Sequence, residues 1–177
     1  MIIKKVVQTT VIAATLFTCI PCFATIPKEE MTIGDIYIGQ PVQEVFEKYG
    51  KPVSQEESYN NRKLYYIIKN GITNSFAVIA KNTDYKPITG VSLTANIGLK
   101  TKAGIGIGST KEEVLQIYGN PDVCTDPIGT PISIDKKDYR GAFELAYKAN
   151  NNEPYELKLT LEGPNKEVTA IGIGVAQ

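Results

Sequence analysis

Apolar residues recur at a helical spacing in two places along this chain, and after each the period changes to two. Val42, Val45, Phe46 and Tyr49 sit at i, i+3, i+4 and i+7, and Val114, Leu115 and Tyr118 repeat the stripe. Each stripe predicts one amphipathic helix of about nine residues. Ser109 with Glu112 forms the Ser-x-x-Glu pattern of a capped helix start. Pro41 takes the first position of the earlier helix, where its missing amide does no harm. Gly50 and Gly119 end the helices, with Pro52 and Pro121 two residues beyond. Helices this short are marginal in water, below the roughly 12 residues needed, so packing must hold them.

The alternating segments read as strands. In the second half they are Phe143 to Lys148, Tyr155 to Glu162 and Val168 to Val175, with turns at Asn150-Asn-Asn152 and Gly163-Pro-Asn165. In the first half they are Leu64 to Lys69, Ser75 to Lys81 and Ile88 to Ala95, separated by Asn70-Gly71 and by 84–87. The segment from Ile38 to Val53 is echoed 69 positions later from Ile107 to Asp122, with Ile, Gly, Glu, Val, Tyr, Gly and Pro in register. One unit is therefore written twice. The predicted class is α+β: two tandem repeats, 25–100 and 101–177, each a short helix followed by a three-stranded antiparallel β-meander. A sheet of three strands with one helix buries too little apolar surface to stand alone. The halves are therefore expected to share one sheet with both helices on one face, and 96–102 reads as the linker.

Composition narrows the function. Residues 1–24 have a basic start, an apolar stretch from Val11 to Ile20, then Pro21, Cys22 and Ala24. They read as a secretory signal peptide cut near Ala24, so the mature protein is expected to be periplasmic or extracellular. Phe17 and Thr18 before Cys19 are poor lipobox residues, which argues against a lipid anchor. No later stretch is apolar enough to span a bilayer. Without Lys4 and Lys5 the chain carries 17 cations against 19 carboxylates. A nucleic-acid partner is not expected from that balance. Cys19 and Cys22 leave with the signal, so Cys124 has no disulfide partner.

The segment Ile105-Gly-Ile-Gly-Ser-Thr-Lys-Glu-Glu-Val-Leu-Gln-Ile-Tyr-Gly-Asn-Pro121, with a weaker copy from Ile36 to Pro52, resembles the BamE/SmpA superfamily of envelope domains. The tandem arrangement resembles the β-lactamase inhibitor protein fold. The resemblance implies protein binding, either as an inhibitor of an enzyme such as a β-lactamase or as an envelope lipoprotein in outer-membrane protein assembly. The chain lacks a convincing lipobox and the paired cysteines and tryptophans of the known inhibitors, and no contact residue carries over.

Catalytic and cofactor chemistry finds little support. With no histidine in the chain, a nucleophilic Cys124 would lack its usual base, and zinc would lack its commonest ligand. Gly104, Gly106 and Gly108 match neither a dinucleotide fingerprint nor a Walker loop. Asp122, Asp126, Asp135 and Asp138 lack the spacing of a calcium loop. Glu44 and Glu113 recur in both units, which favours a scaffold role over paired-carboxylate catalysis. The expectation is a noncatalytic module with no metal and no cofactor. Aligning Leu64 with Phe143 and Phe76 with Tyr155 puts Tyr65, Ile67, Lys69, Ala77 and Ile79 opposite the core, where the second half has Glu144, Ala146, Lys148, Glu156 and Lys158. Tyr65, Ile67, Ala77 and Ile79 are thus the expected partner-binding patch.

Overall fold

The computed structural model describes residues 26–58, 60–67, 71–72, 75–136, 138–149 and 153–175. The expected signal segment and the turn at 150–152 lie outside them. A two-stranded ladder, β1 (Thr32–Ile33) with β2 (Ile36–Tyr37), precedes helix α1 (Val42–Tyr49). Four strands follow: β3 (Ser54–Ser58), β4 (Arg62–Tyr66), β5 (Phe76–Lys81) and β6 (Ile88–Leu93). Helix α2 (Lys111–Tyr118) is likewise followed by four: β7 (Val123–Thr125), β8 (Phe143–Lys148), β9 (Tyr155–Glu162) and β10 (Glu167–Val175). All eight join one antiparallel sheet in the order β3-β4-β5-β6-β10-β9-β8-β7.

This corrects the predicted class. The chain is mostly β, an eight-stranded antiparallel sheet with two short helices, rather than two repeats of one helix and three strands. The strands left out of the sequence reading are the two edges. Ser54-Gln-Glu-Glu-Ser58 carries no apolar residue and Val123-Cys-Thr125 spans three positions, so neither shows a periodicity. Both suit an edge, where charge and shortness discourage pairing with another chain.

The core lies on one face of the sheet. Tyr65, Ile67, Phe76, Val78, Val91, Leu93, Ile171, Ile173, Leu157, Leu159, Leu145 and Tyr147 are all buried there. Helix α1 covers one end, with the Phe46 ring edge-on to Tyr65 and Tyr49 edge-on to Phe76. Helix α2 covers the other, with Tyr118 against Tyr147. Between them lie the β1-β2 hairpin and the segment read as a linker. That segment belongs to the core: Ile97 and Thr101 are buried, and the Tyr118 hydroxyl donates to Thr101 Oγ1 at 2.7 Å. Gly34 holds a positive φ at the hairpin, where a Cβ would come within 3.0 Å of the Tyr49 hydroxyl, so only glycine fits.

Each helix begins one residue later than the sequence reading placed it. In α2 the cap is Thr110, whose hydroxyl accepts from the Glu113 amide while the Glu113 carboxylate accepts from the Thr110 amide. Ser109 instead accepts from the Gly106 amide and so closes the preceding turn. In α1 Pro41 is the cap residue rather than the first helical one.

At the end of α1, Asp35 accepts from Lys48 Nζ and from the Tyr49 hydroxyl. Burial pushes Asp35 upward, but these two hydrogen bonds outweigh it and hold the carboxyl below its ordinary range. Tyr49 is pushed up to about 12 by burial and by the carboxylate it donates to. A phenol whose folded value exceeds the unfolded one near 10 stabilises the fold fully below that pH and loses the contribution on the way to 12. Wild-type stability should therefore fall between pH 10 and 12 more steeply than that of Tyr49→Phe. Denaturant melts across that range check this, and parallel curves would exclude it.

Candidate functional site: the uncovered sheet face

Among the described residues, both helices and the β1-β2 hairpin pack on the core side of the sheet, and none of these elements covers the other face. Residues opposite one another in an antiparallel pair share a face, so the register defines what that face presents. One row across the sheet runs Tyr66, Ala77, Ser92, Gly172, Lys158 and Ala146; the next runs Leu64, Ile79, Gly90, Gly174, Glu156 and Lys148. The face is apolar at the β4-β5 end, bare backbone at its centre, and charged at the β8-β9 end. Lys158 ion-pairs with Glu156 at 2.8 Å along the charged end.

The central glycines differ in cause. A Cβ on Gly90 would stand 3.3 Å from the Ile173 carbonyl oxygen and from Ile79 Cδ1, a tight fit that favours glycine there. On Gly172 and Gly174 the nearest atoms would be 3.7 and 3.5 Å away, and neither residue has positive φ. Among the described residues, a Cβ at either position would meet only ordinary van der Waals contacts. Glycine inside a strand lowers stability by about 0.5–1 kcal/mol relative to alanine, and commonly marks a place where another backbone or a ligand comes close.

The four residues expected to form a patch are separated. Tyr65 pairs with Val78, and the Ile67 amide donates to the Phe76 carbonyl. Tyr65 is 3% and Ile67 0% exposed, so both belong to the core. Ala77 and Ile79 do lie on the opposite face, where their cross-strand neighbours are Tyr66 and Leu64, although Ala77 is only 8% exposed. The one-residue error has a physical origin. Leu64-Tyr-Tyr-Ile67 contains no polar residue to mark which alternate positions face outward.

The remaining sequence candidates occupy structural roles. The Glu113 carboxylate caps its own helix, and Glu44 accepts from the Gln40 side chain at 3.1 Å. Cys124 sits half-buried in β7, and burial raises its thiol above the ordinary value despite nearby Lys111. A thiol held protonated is a poor nucleophile. Among the described residues, no group of three or more acidic, histidine or cysteine side chains converges on a metal-sized space, and no helix is long and apolar enough to cross a membrane.

No protein-family model matches the sequence, and no curated protein matches it either. A cysteine-rich secretory protein from Staphylococcus aureus subsp. aureus Mu50 has a similar structure, with a TM-score of 0.54 and 14% identity, covering 86% of this chain and 49% of that one. An extracellular protein containing a SCP domain, from Bacillus anthracis str. Ames, aligns with a TM-score of 0.46 and 12% identity over 98% of this chain and 50% of that one. The chain spans about half the length of each, and at such identity the likeness is one of fold alone. This finding replaces the BamE/SmpA and β-lactamase inhibitor resemblance. The motif quoted for that resemblance specifies how a helix starts and stops, which is local and does not fix the strand order around it.

Proposed function

We propose that the chain is an exported, noncatalytic protein-binding module that receives its partner on the bare sheet face. The observation that carries this reading is the strip at Gly172 and Gly174, two glycines in a central strand that internal packing does not require. Toward one edge of the sheet from the strip lie Leu64, Tyr66 and Ile79, half-buried apolar side chains on β4 and β5; toward the other, Lys158 and Glu156 form a charged margin. Apolar side chains beside a charged margin are common where one protein meets another. Export is supported by the basic and apolar pattern of residues 1–24 and by the description of the S. aureus neighbour as secretory. The absence of histidine and the protonated, half-buried Cys124 favour a noncatalytic role.

Gly172→Val and Gly174→Val separate binding from folding. At each the new Cβ meets only ordinary contacts and valine favours strands over glycine, so the thermal midpoint should hold or rise, while a photo-cross-linker at Tyr66 should lose its adduct. A cross-linker at Leu115, on the helix side, is the control. Adducts that persist undiminished in both valine variants would remove the sheet face from consideration.

A further inference from the structure

A second feature lies on the opposite side of the molecule, at the start of α2. The first turn of that helix, Lys136, Tyr139, Arg140 and the turn 163–166 line an open cleft of about 850 Å³. Lys111, Lys136, Arg140 and Lys166 line it against a single carboxylate, Glu112. Among the described residues none of the four cations makes an ion pair. The whole chain has no net charge, so this concentration of positive charge is local.

Two of the cations are held in place. Lys111 Nζ donates to the Ile134 carbonyl at 3.2 Å, and the backbone of Ile134 is fixed by its buried side chain. Lys166 Nζ donates to the Gly141 carbonyl at 2.6 Å and stands over the Tyr139 and Phe143 rings at 5.5 and 5.1 Å. Each ammonium keeps further donor hydrogens after that one bond. Lys166 also occupies a positive φ of 49°, a conformation in which lysine is uncommon. Lys136 and Arg140 are exposed at the mouth. Unpaired like charges repel, and the arrangement gains most from a ligand that answers several of them at once.

We infer that this cleft binds a multiply charged phosphate-type oxyanion. The donors approach from three separate chain segments, which suits tetrahedral groups carrying oxygens in all directions; a planar carboxylate presents only one edge. Arg140 supplies a forked donor and the lysines supply point charges, the usual division of labour around phosphate. The site is independent of the sheet face.

Isothermal titration of the full chain with tripolyphosphate, at fixed ionic strength, is the test. One-site binding is expected, weakened at least about tenfold in the double variant Arg140→Gln/Lys136→Gln and largely retained in Arg140→Lys/Lys136→Arg. Both positions are exposed, so thermal midpoints without ligand should match the parent. The control Lys51→Gln/Lys81→Gln removes the same charge elsewhere and should change affinity less than about twofold. Equal weakening in both neutralised doubles, or no binding by the parent, would overturn the site. A hexaglutamate peptide binding as tightly as tripolyphosphate would overturn the ligand class. The Gly172→Val and Gly174→Val variants should bind tripolyphosphate normally, and a loss there would refute the independence of the two surfaces.

Discussion

Ile67→Asp should leave no folded protein, while Ile79→Asp should remain folded. The two isoleucines lie on neighbouring strands, and a reading of the sequence alone placed both on one exposed surface. Ile67 is fully buried, beside Phe76 on the covered face of the sheet. Aspartate there forfeits about 1.5–3 kcal/mol of apolar burial. It also places a carboxylate in the core with no cation among the buried residues to pair with it, an additional several kcal/mol even if the group takes up a proton. The combined loss of about 5 kcal/mol or more rivals the total stability of an ordinary domain, about 5–15 kcal/mol. Ile79 is half-buried on the bare face, so its replacement forgoes part of one side chain's burial and leaves the charge hydrated, a change of about 1 kcal/mol. Far-UV circular dichroism with urea melts distinguishes the outcomes. A folded Ile67→Asp protein with an unchanged midpoint would show that the face assignment is inverted.

The elements that were legible in the sequence are those whose pattern is self-contained. Strands β8 and β9 announce their phase through Phe-Glu-Leu-Ala-Tyr-Lys and Tyr-Glu-Leu-Lys-Leu-Thr-Leu-Glu, because every second residue is polar or small. The helices were legible through their glycine exits, although the cap was displaced by one. Ser109 and Thr110 both have a glutamate three residues ahead, and only the tie from Ser109 to the Gly106 amide decides between them. The phase of β4 was illegible because both of its alternate sets are apolar, whereas that of β5 was read correctly from Phe76 and Val78. The edge strands were illegible because edges need no buried set. The two candidate surfaces share a different obstacle. Gly172 and Gly174 were visible as glycines in a strand, but what makes them a strip is the register that sets them beside Ser92 and Gly90. Lys111, Lys136, Arg140 and Lys166 lie apart in sequence, and only the closing of a loop and a turn around α2 brings them together. Clusters assembled by tertiary contact leave no local signal in composition or spacing.

Residues 26–100 produced alone should fail to fold, and the complete chain should melt in one transition. The centre of the sheet is the pairing of β6 with β10, where Val91 faces Ile173 and Leu93 faces Ile171. All four are buried. Separating the halves returns two of these side chains in each half to water, a loss of about 3–6 kcal/mol per half at about 1.5–3 kcal/mol per side chain. It also converts β6, with its run Ile-Thr-Gly-Val-Ser-Leu, into an unprotected edge that invites aggregation. The hairpin would lose its ties to the second half as well, since Ile33 bridges to Thr101 and Thr101 in turn binds Tyr118. An eight-residue helix cannot compensate, because helices of that length are themselves held by packing. Calorimetry of the full chain should give equal calorimetric and van't Hoff enthalpies, and the isolated segment should show a collapsed amide proton spectrum. A well-dispersed spectrum from residues 26–100, or two resolved transitions in the whole protein, would mean that each half holds its own core and that the central strand pair only joins two finished domains.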